Sequence, residues 1–167
     1  MENQQSILGV EGVEKIPVTS HINVVQVRLI KVKESTMQYA GSRQIRCAED
    51  AAQLLWKYIG DADREIFVIM VLSTKHYVNC IHTASIGSLD ASIVHPREVF
   101  KVAILGNASA IIAGHNHPSG DPTPSPEDEA VTTRLIAAGK ILGIDVLDHI
   151  VLGDEKFVSL KERGLMN

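Results

Sequence analysis

The spacing of hydrophobic positions changes several times along the chain, and each change marks an element. Residues 23–33 alternate, with Val25, Val27 and Leu29 separated by Gln26 and Arg28. That period of two belongs to a strand with one face in water, here read as an edge strand. Residues 48–59 put Ala51, Ala52, Leu55, Tyr58 and Ile59 on one helical face, and Gly60 stands where such a helix stops. From 65 to 72, Glu65 is followed only by apolar residues, as a central strand covered on both sides requires. A turn over 73–76 leads into a second strand over 77–84. Pro96 opens a helix over 96–105, with Val99, Val102 and Ala103 on its inner side and Gly106-Asn107 at its end. Residues 110–114 form a short buried strand.

Ser125-Pro126-Glu127-Asp128 starts a further helix, and Val131, Leu135, Ala138 and Leu142 carry its stripe to Gly143. Residues 144–152 are again a strand, 157–160 add one more, and 161–167 read as a frayed end. Strands and helices alternate, which predicts an α/β fold: a mixed β-sheet flanked by helices. Residues 1–21 show no sustained period, so they are expected to be an irregular lead-in to one domain over 22–167.

Composition narrows the setting. At 167 residues a single core buries roughly 70% of the surface the unfolded chain exposes, so folding needs no covalent or metal staple. Cys47 and Cys80 are too few and too far apart for a disulfide scaffold or a CxxC zinc site, which points to a reducing compartment. No apolar run approaches the roughly 20 residues of a membrane helix, and Met1-Glu2-Asn3-Gln4-Gln5 does not begin like a signal peptide. The expectation is a soluble cytoplasmic protein without membrane contact. Net charge is −4, yet residues 22–46 carry +4, with Arg28, Lys31, Lys33, Arg43 and Arg46 against Glu34. Residues 28–46 could therefore make a weak nucleic-acid contact, although alternating bases are also what the wet face of a strand carries.

Chemistry concentrates in one stretch. Ile111-Ile112-Ala113-Gly114 runs directly into His115-Asn116-His117-Pro118, and imidazoles at i and i+2 on extended backbone face the same side. Pro118, Pro122, Pro124 and Pro126, with Gly120 among them, stiffen the segment that follows. Asp128 then falls in the first turn of a helix, where the dipole favours a carboxylate. Two imidazoles and one carboxylate suit catalytic zinc, with a fourth position for water, and zinc lowers the pKa of water to about 7. The general base should be an acid that is not a ligand, and Glu65 is the one charge on the run 65–72.

The same residues have plainer explanations, and both remain open at this level. Ser125 can be a helix cap, Pro126 a first-turn proline and Asp128 a first-turn acid with no metal, while Glu65 can be a strand-end surface acid. Glu98 competes with Glu65 as base, but it lies in a helix first turn where an acid already has a structural reason. Asp148 and His149 interrupt an apolar strand, so each needs a buried partner. They could form a core pair, or one could orient a metal ligand. His21, His76, His82 and His95 fit no pattern.

His115-x-His117-Pro118, six residues, then Ser125-x-x-Asp128 is similar to the JAMM motif of MPN+/JAB-domain metalloproteases. The string from His115 to Ser125 resembles the bacterial RadC branch of that family, as do residues 94–100 and 143–150, and the resemblance spans 27–153. It implies a JAB/MPN (cytidine-deaminase-like) architecture with one Zn2+ per chain beside the sheet. In that likeness His115, His117 and Asp128 are the zinc ligands, Ser125 hydrogen-bonds the oxyanion, and Glu65, at the start of a strand, is the base. The activity implied is cleavage of an amide bond in an unidentified peptide or protein, as a metallopeptidase or an isopeptidase-like enzyme.

The RadC name carries a DNA-repair association instead. A metal-dependent nucleic-acid-associated repair factor and a non-catalytic binding module are therefore the alternatives. The short lead-in leaves no room for the helix-hairpin-helix module of full-length RadC proteins, which weakens the DNA reading. Zinc deaminase chemistry needs a Pro-Cys-x-x-Cys pair that is not in the sequence. Neither the natural substrate nor the oligomeric state is encoded in any motif.

Overall fold

The computed structural model describes residues 41–87 and 94–166. The lead-in at 1–21, the strand expected at 23–33 and most of the basic segment 28–46 lie outside the described residues. Within them the order is α1 (Ala48–Ile59), β1 (Ile66–Leu72), β2 (Val78–Ile86), α2 (Pro96–Leu105), β3 (Ala110–Asn116), α3 (Pro126–Leu142), β4 (Asp145–Leu152) and β5 (Phe157–Ser159). Both early helices end at the residues that local chemistry nominated. Gly60 N–H closes α1 on the carbonyl of Trp56, and Pro96 begins α2.

The five strands form one sheet in the order β2-β1-β3-β4-β5. β1 runs antiparallel to both β2 and β3, β3 runs parallel to β4, and β5 closes the far edge antiparallel. A parallel pair needs a crossover, and α3 supplies it. The mixed α/β sheet flanked by helices expected from the sequence is the observed architecture. Alternation along β1 and β3 then divides the core. Val68, Met70, Ile112 and Leu152 pack beneath α1 with Leu54 and Leu55, while Phe67, Ile69, Ile111 and Ala113 meet α2 and α3 through Phe100, Val131 and Leu135. Every residue of β3 is buried, the consequence of a central strand covered on both faces.

Four expectations are corrected. β3 does not end at Gly114 but continues through His115 and Asn116, whose polar groups are satisfied by side-chain and main-chain partners. The inner faces of α1 and α3 are narrower than their periodicity implied. Tyr58 is 39% and Leu142 46% exposed, Tyr58 placing its hydroxyl 3.2 Å from Thr83 Oγ1. Residues 160–164 form turns, and the segment is not a frayed end. Lys161 N–H donates to Asp148 Oδ1 and Leu165 N–H to the carbonyl of Leu160. Asp148 and His149 do not pair side chain to side chain. Asp148 accepts from the His149 main-chain N–H, from Ser159 Oγ–H and from Lys161 N–H, so it fastens β4 to the last turn. Among the described residues no helix is long and apolar enough to cross a membrane.

Candidate metal centre

β3 delivers the site because of what sits on either side of His115. Gly114 faces α1, and a Cβ there would stand 2.5 Å from Leu55 Cδ1, so the missing side chain lets the helix lie directly on the strand. His115, on the opposite face, pairs across the ladder with Phe67 of β1. The two rings stack with centroids 6.1 Å apart and planes 16° apart. His117 follows just past the strand end, its N–H donating to the Leu152 carbonyl at 2.8 Å. The period of two therefore holds through the motif, and both imidazoles emerge on the α3 side.

Asp128 comes from α3, where it does two things at once. Ser125 is the N-cap of α3 and forms a capping box with Asp128 at N3, an arrangement that satisfies helix N–H groups left without partners. Asp128 Oδ2 accepts from the Ser125 N–H at 2.8 Å and from its hydroxyl at 2.7 Å. Its other oxygen is free to turn outward, and Oδ1 lies 3.2 Å from His115 Nε2. His117 Nε2 is 3.7 Å from Oδ2. The cap is thus present, and the same carboxylate also faces the two imidazoles.

The donor set fits a small cation. The two Nε2 atoms are 3.0 Å apart, and the candidate ligand atoms of His115, His117 and Asp128 all lie within 4.8 Å of one another. His117 Nδ1 is 2.7 Å from the Asp121 carbonyl. A carbonyl only accepts, so Nδ1 carries the proton and a neutral His117 turns its lone pair on Nε2 towards the cluster. Two imidazole nitrogens and a carboxylate this close to one another form a group that could hold a metal ion.

Electrostatics agree with close coupling. Burial pushes the Asp128 carboxyl up, but the neighbouring rings of His115 and His117 and the Ser125 N–H outweigh it and hold Asp128 well below the usual carboxylate range. The neighbouring Asp128 carboxylate raises His117 above its ordinary value against the opposing effect of burial, and the Asp121 carbonyl and the charge of Glu65 add to the rise.

Glu65 stands immediately before β1, its carbonyl accepting from Gly87 N–H at 2.8 Å, and its charge reaches His117. Glu98 lies in the first turn of α2. It pairs with Lys101 and Arg97 at the start of α2, the structural employment expected of a first-turn acid. Ser125 sits beside the cluster, but its hydroxyl is directed at Asp128.

Three further residues complete the site: Asn116 and Thr132, which the sequence reading did not single out, and His149, for which orienting a metal ligand was one of the two readings. Asn116 points away from the histidines, where Oδ1 accepts from Ile66 N–H at 2.8 Å and Nδ2 donates to the carbonyls of Arg64 and Ala62 at 3.0 and 3.4 Å. It ties residues 62–66, and Glu65 with them, to the histidine-bearing strand. Its signal in the sequence was a polar residue at a position that alternation buries. His149 is fully buried beside the centre, with Nε2 2.8 Å from His115 Nδ1. Thr132, one turn beyond Asp128, places Oγ1 2.6 Å from His149 Nδ1 and 2.6 Å from the Asp128 carbonyl. Burial first, then the neighbouring His115 ring, drives His149 well below its ordinary value.

Comparison with known proteins bears on the same region. The family model described as RadC-like JAB domain matches residues 45–165. The UPF0758 protein of Desulforamulus reducens is 57% identical over 122 residues, 73% of this chain and 54% of its own length. That of Alkaliphilus metalliredigens is 55% identical over 123 residues, covering 74% and 53%. That of Geobacillus sp. strain WCH70 is 46% identical over 155 residues, covering 93% and 69%. The chain spans about half the length of the first two of these relatives. The matched stretch holds all the described elements and the whole His-His-Asp cluster, and on this ground the chain belongs to the RadC-like JAB domain family.

Proposed function

We propose that this chain is a zinc-dependent hydrolase of the JAMM type that cleaves an amide bond in a peptide or protein, as a metallopeptidase or isopeptidase-like enzyme. The observation that carries the reading is the convergence of His115, His117 and Asp128 at the end of β3, with Glu65 held at the start of the adjoining strand by Asn116. His115, His117 and Asp128 would hold the ion. When bound, zinc supplies Lewis acidity, which polarises a carbonyl and makes water a better nucleophile near neutral pH.

The protein's own groups do the rest. Glu65 takes a proton from water as the water oxygen bonds to the carbonyl carbon, and it returns that proton to the amine nitrogen as the carbon–nitrogen bond breaks. Ser125 serves the developing oxyanion once its hydroxyl swings from Asp128 Oδ2 to the substrate oxygen. The cytoplasm is the setting this reading favours, a compartment where the free cysteines Cys47 and Cys80 stay reduced.

The test is metal content and turnover measured together. Wild type should purify with one zinc per chain. Asp128→Ala should lose it. Glu65→Gln should keep it and lose about 10²–10⁴-fold in turnover on a cleavable peptide or isopeptide, the range for removing a general acid–base. A wild-type protein that takes up no stoichiometric metal overturns the reading.

A further inference from the structure

We propose that His149 and Thr132 are positioning residues that decide which nitrogen of His115 faces the metal centre. The inference rests on the metal-centre reading above and deepens it. The direction of each proton follows from one fixed point. The main-chain carbonyl of Asp128 can only accept, so Thr132 Oγ1, 2.6 Å away, commits its single proton there. The same oxygen lies 2.6 Å from His149 Nδ1, and with its proton spent it can only accept. His149 therefore carries its proton on Nδ1.

A neutral imidazole protonated at Nδ1 has a bare Nε2, and His149 Nε2 is 2.8 Å from His115 Nδ1. That contact makes His115 the donor through Nδ1. Its Nε2 is left with the lone pair, facing His117 Nε2 at 3.0 Å and Asp128 Oδ1 at 3.2 Å.

The surroundings of His149 keep the relay in this sense. The ring is fully buried, Phe67 meets it edge-on at 5.3 Å, and its two ring nitrogens are taken by a hydroxyl and an imidazole, not by a carboxylate that would stabilise a second proton. Asp128 thus serves the centre twice, through Oδ1 directly and through its main-chain carbonyl as the anchor of the relay. If the relay ran the other way, His115 would present an N–H where a ligand needs a lone pair. Hydrogen-bond partners of this kind set ligand tautomer and orientation in metal sites.

Thr132→Val keeps the shape of the side chain and removes the hydroxyl, freeing His149 to protonate Nε2 and so to push the proton of His115 onto its own Nε2. Thr132→Ser retains the hydroxyl. The measurement is zinc affinity by competition with a chromophoric chelator, with ring-nitrogen NMR of the zinc-loaded proteins to read the His149 tautomer. Thr132→Val should bind zinc about 10–100-fold more weakly, while Thr132→Ser should bind as wild type does and keep the His149 proton on Nδ1. Equal affinity in wild type and Thr132→Val overturns the relay and leaves the metal centre standing. Equal losses in the Val and Ser variants also overturn it, since packing alone would then account for them. A wild type that binds no zinc overturns the metal centre and the relay together.

Discussion

Replacing Ser125 with alanine deletes one oxygen and separates two jobs that Asp128 performs at once. The hydroxyl accepts from Asp128 N–H at 3.2 Å and donates to Asp128 Oδ2 at 2.7 Å. The Ser125 main-chain N–H, 2.8 Å from Oδ2, is untouched by the substitution, so one arm of the capping box survives. Loss of a serine N-cap costs about 0.5–2 kcal/mol, typically near 1, and for a domain of this size about 1 kcal/mol lowers the melting temperature by roughly 2–4 °C. The oxygen turned to His115 is Oδ1, which makes no contact with Ser125, so zinc should still bind. Turnover should fall by about 10²–10³-fold, the loss expected for an oxyanion donor.

Asp128→Asn is the converse. Its amide must place an NH2 group either on the Ser125 N–H or among the imidazole nitrogens, and the negative charge is gone in both cases, so zinc binding is lost. The assay is thermal unfolding of the zinc-free proteins followed by zinc titration. An unchanged melting temperature for Ser125→Ala would refute the cap, and loss of zinc from Ser125→Ala as complete as from Asp128→Asn would refute the division of labour between the two oxygens.

Asn116→Ala strips three hydrogen bonds from residues 62–66 and should cost about 1–3 kcal/mol for the main-chain groups left unpaired. Zinc affinity should hold while turnover drops because Glu65 loses its anchor; turnover at the wild-type level would show that Asn116 does not position it. Gly114→Ala sets a methyl 2.5 Å from Leu55 Cδ1 and 3.0 Å from Cδ2, well inside the roughly 3.5–4.0 Å of carbon contacts. Leu55 is fully buried, so overpacking should cost about 1–3 kcal/mol. Combined with Leu55→Ala the loss should be smaller than the sum of the two, and strict additivity in denaturant unfolding would contradict the contact.

How much of this was legible beforehand depends on how far apart the deciding residues lie. Helix limits at Gly60, Pro96 and Gly106 were readable because glycine and proline act on their own backbone. His115 and His117 were readable as a pair because a period of two is a property of any extended chain. The reach of β3 through His115 and Asn116 was not. Polar residues end a hydrophobic pattern unless they find partners, and theirs come from β4 and from residues 62–66. The order in 161–166 was hidden for the same reason, since Asp148, which receives Lys161 N–H, is thirteen positions away.

The sequence by itself determined the α/β class, the helix ends, the three candidate ligands and the family whose pattern they share, all through interactions spanning a few residues. Only the tertiary structure decided that Asp128 caps α3 with one oxygen and faces His115 with the other. It also decided that Glu98 pairs with Lys101 and Arg97 on α2, and that Asp148 and His149, neighbours in the chain, serve different ends. Adjacent residues on a strand point to opposite sides of the sheet. Register and helix packing then settle what each one meets. That is how His149 comes to lie beside His115 across the parallel β3–β4 pair while Asp148 anchors the chain's last turn.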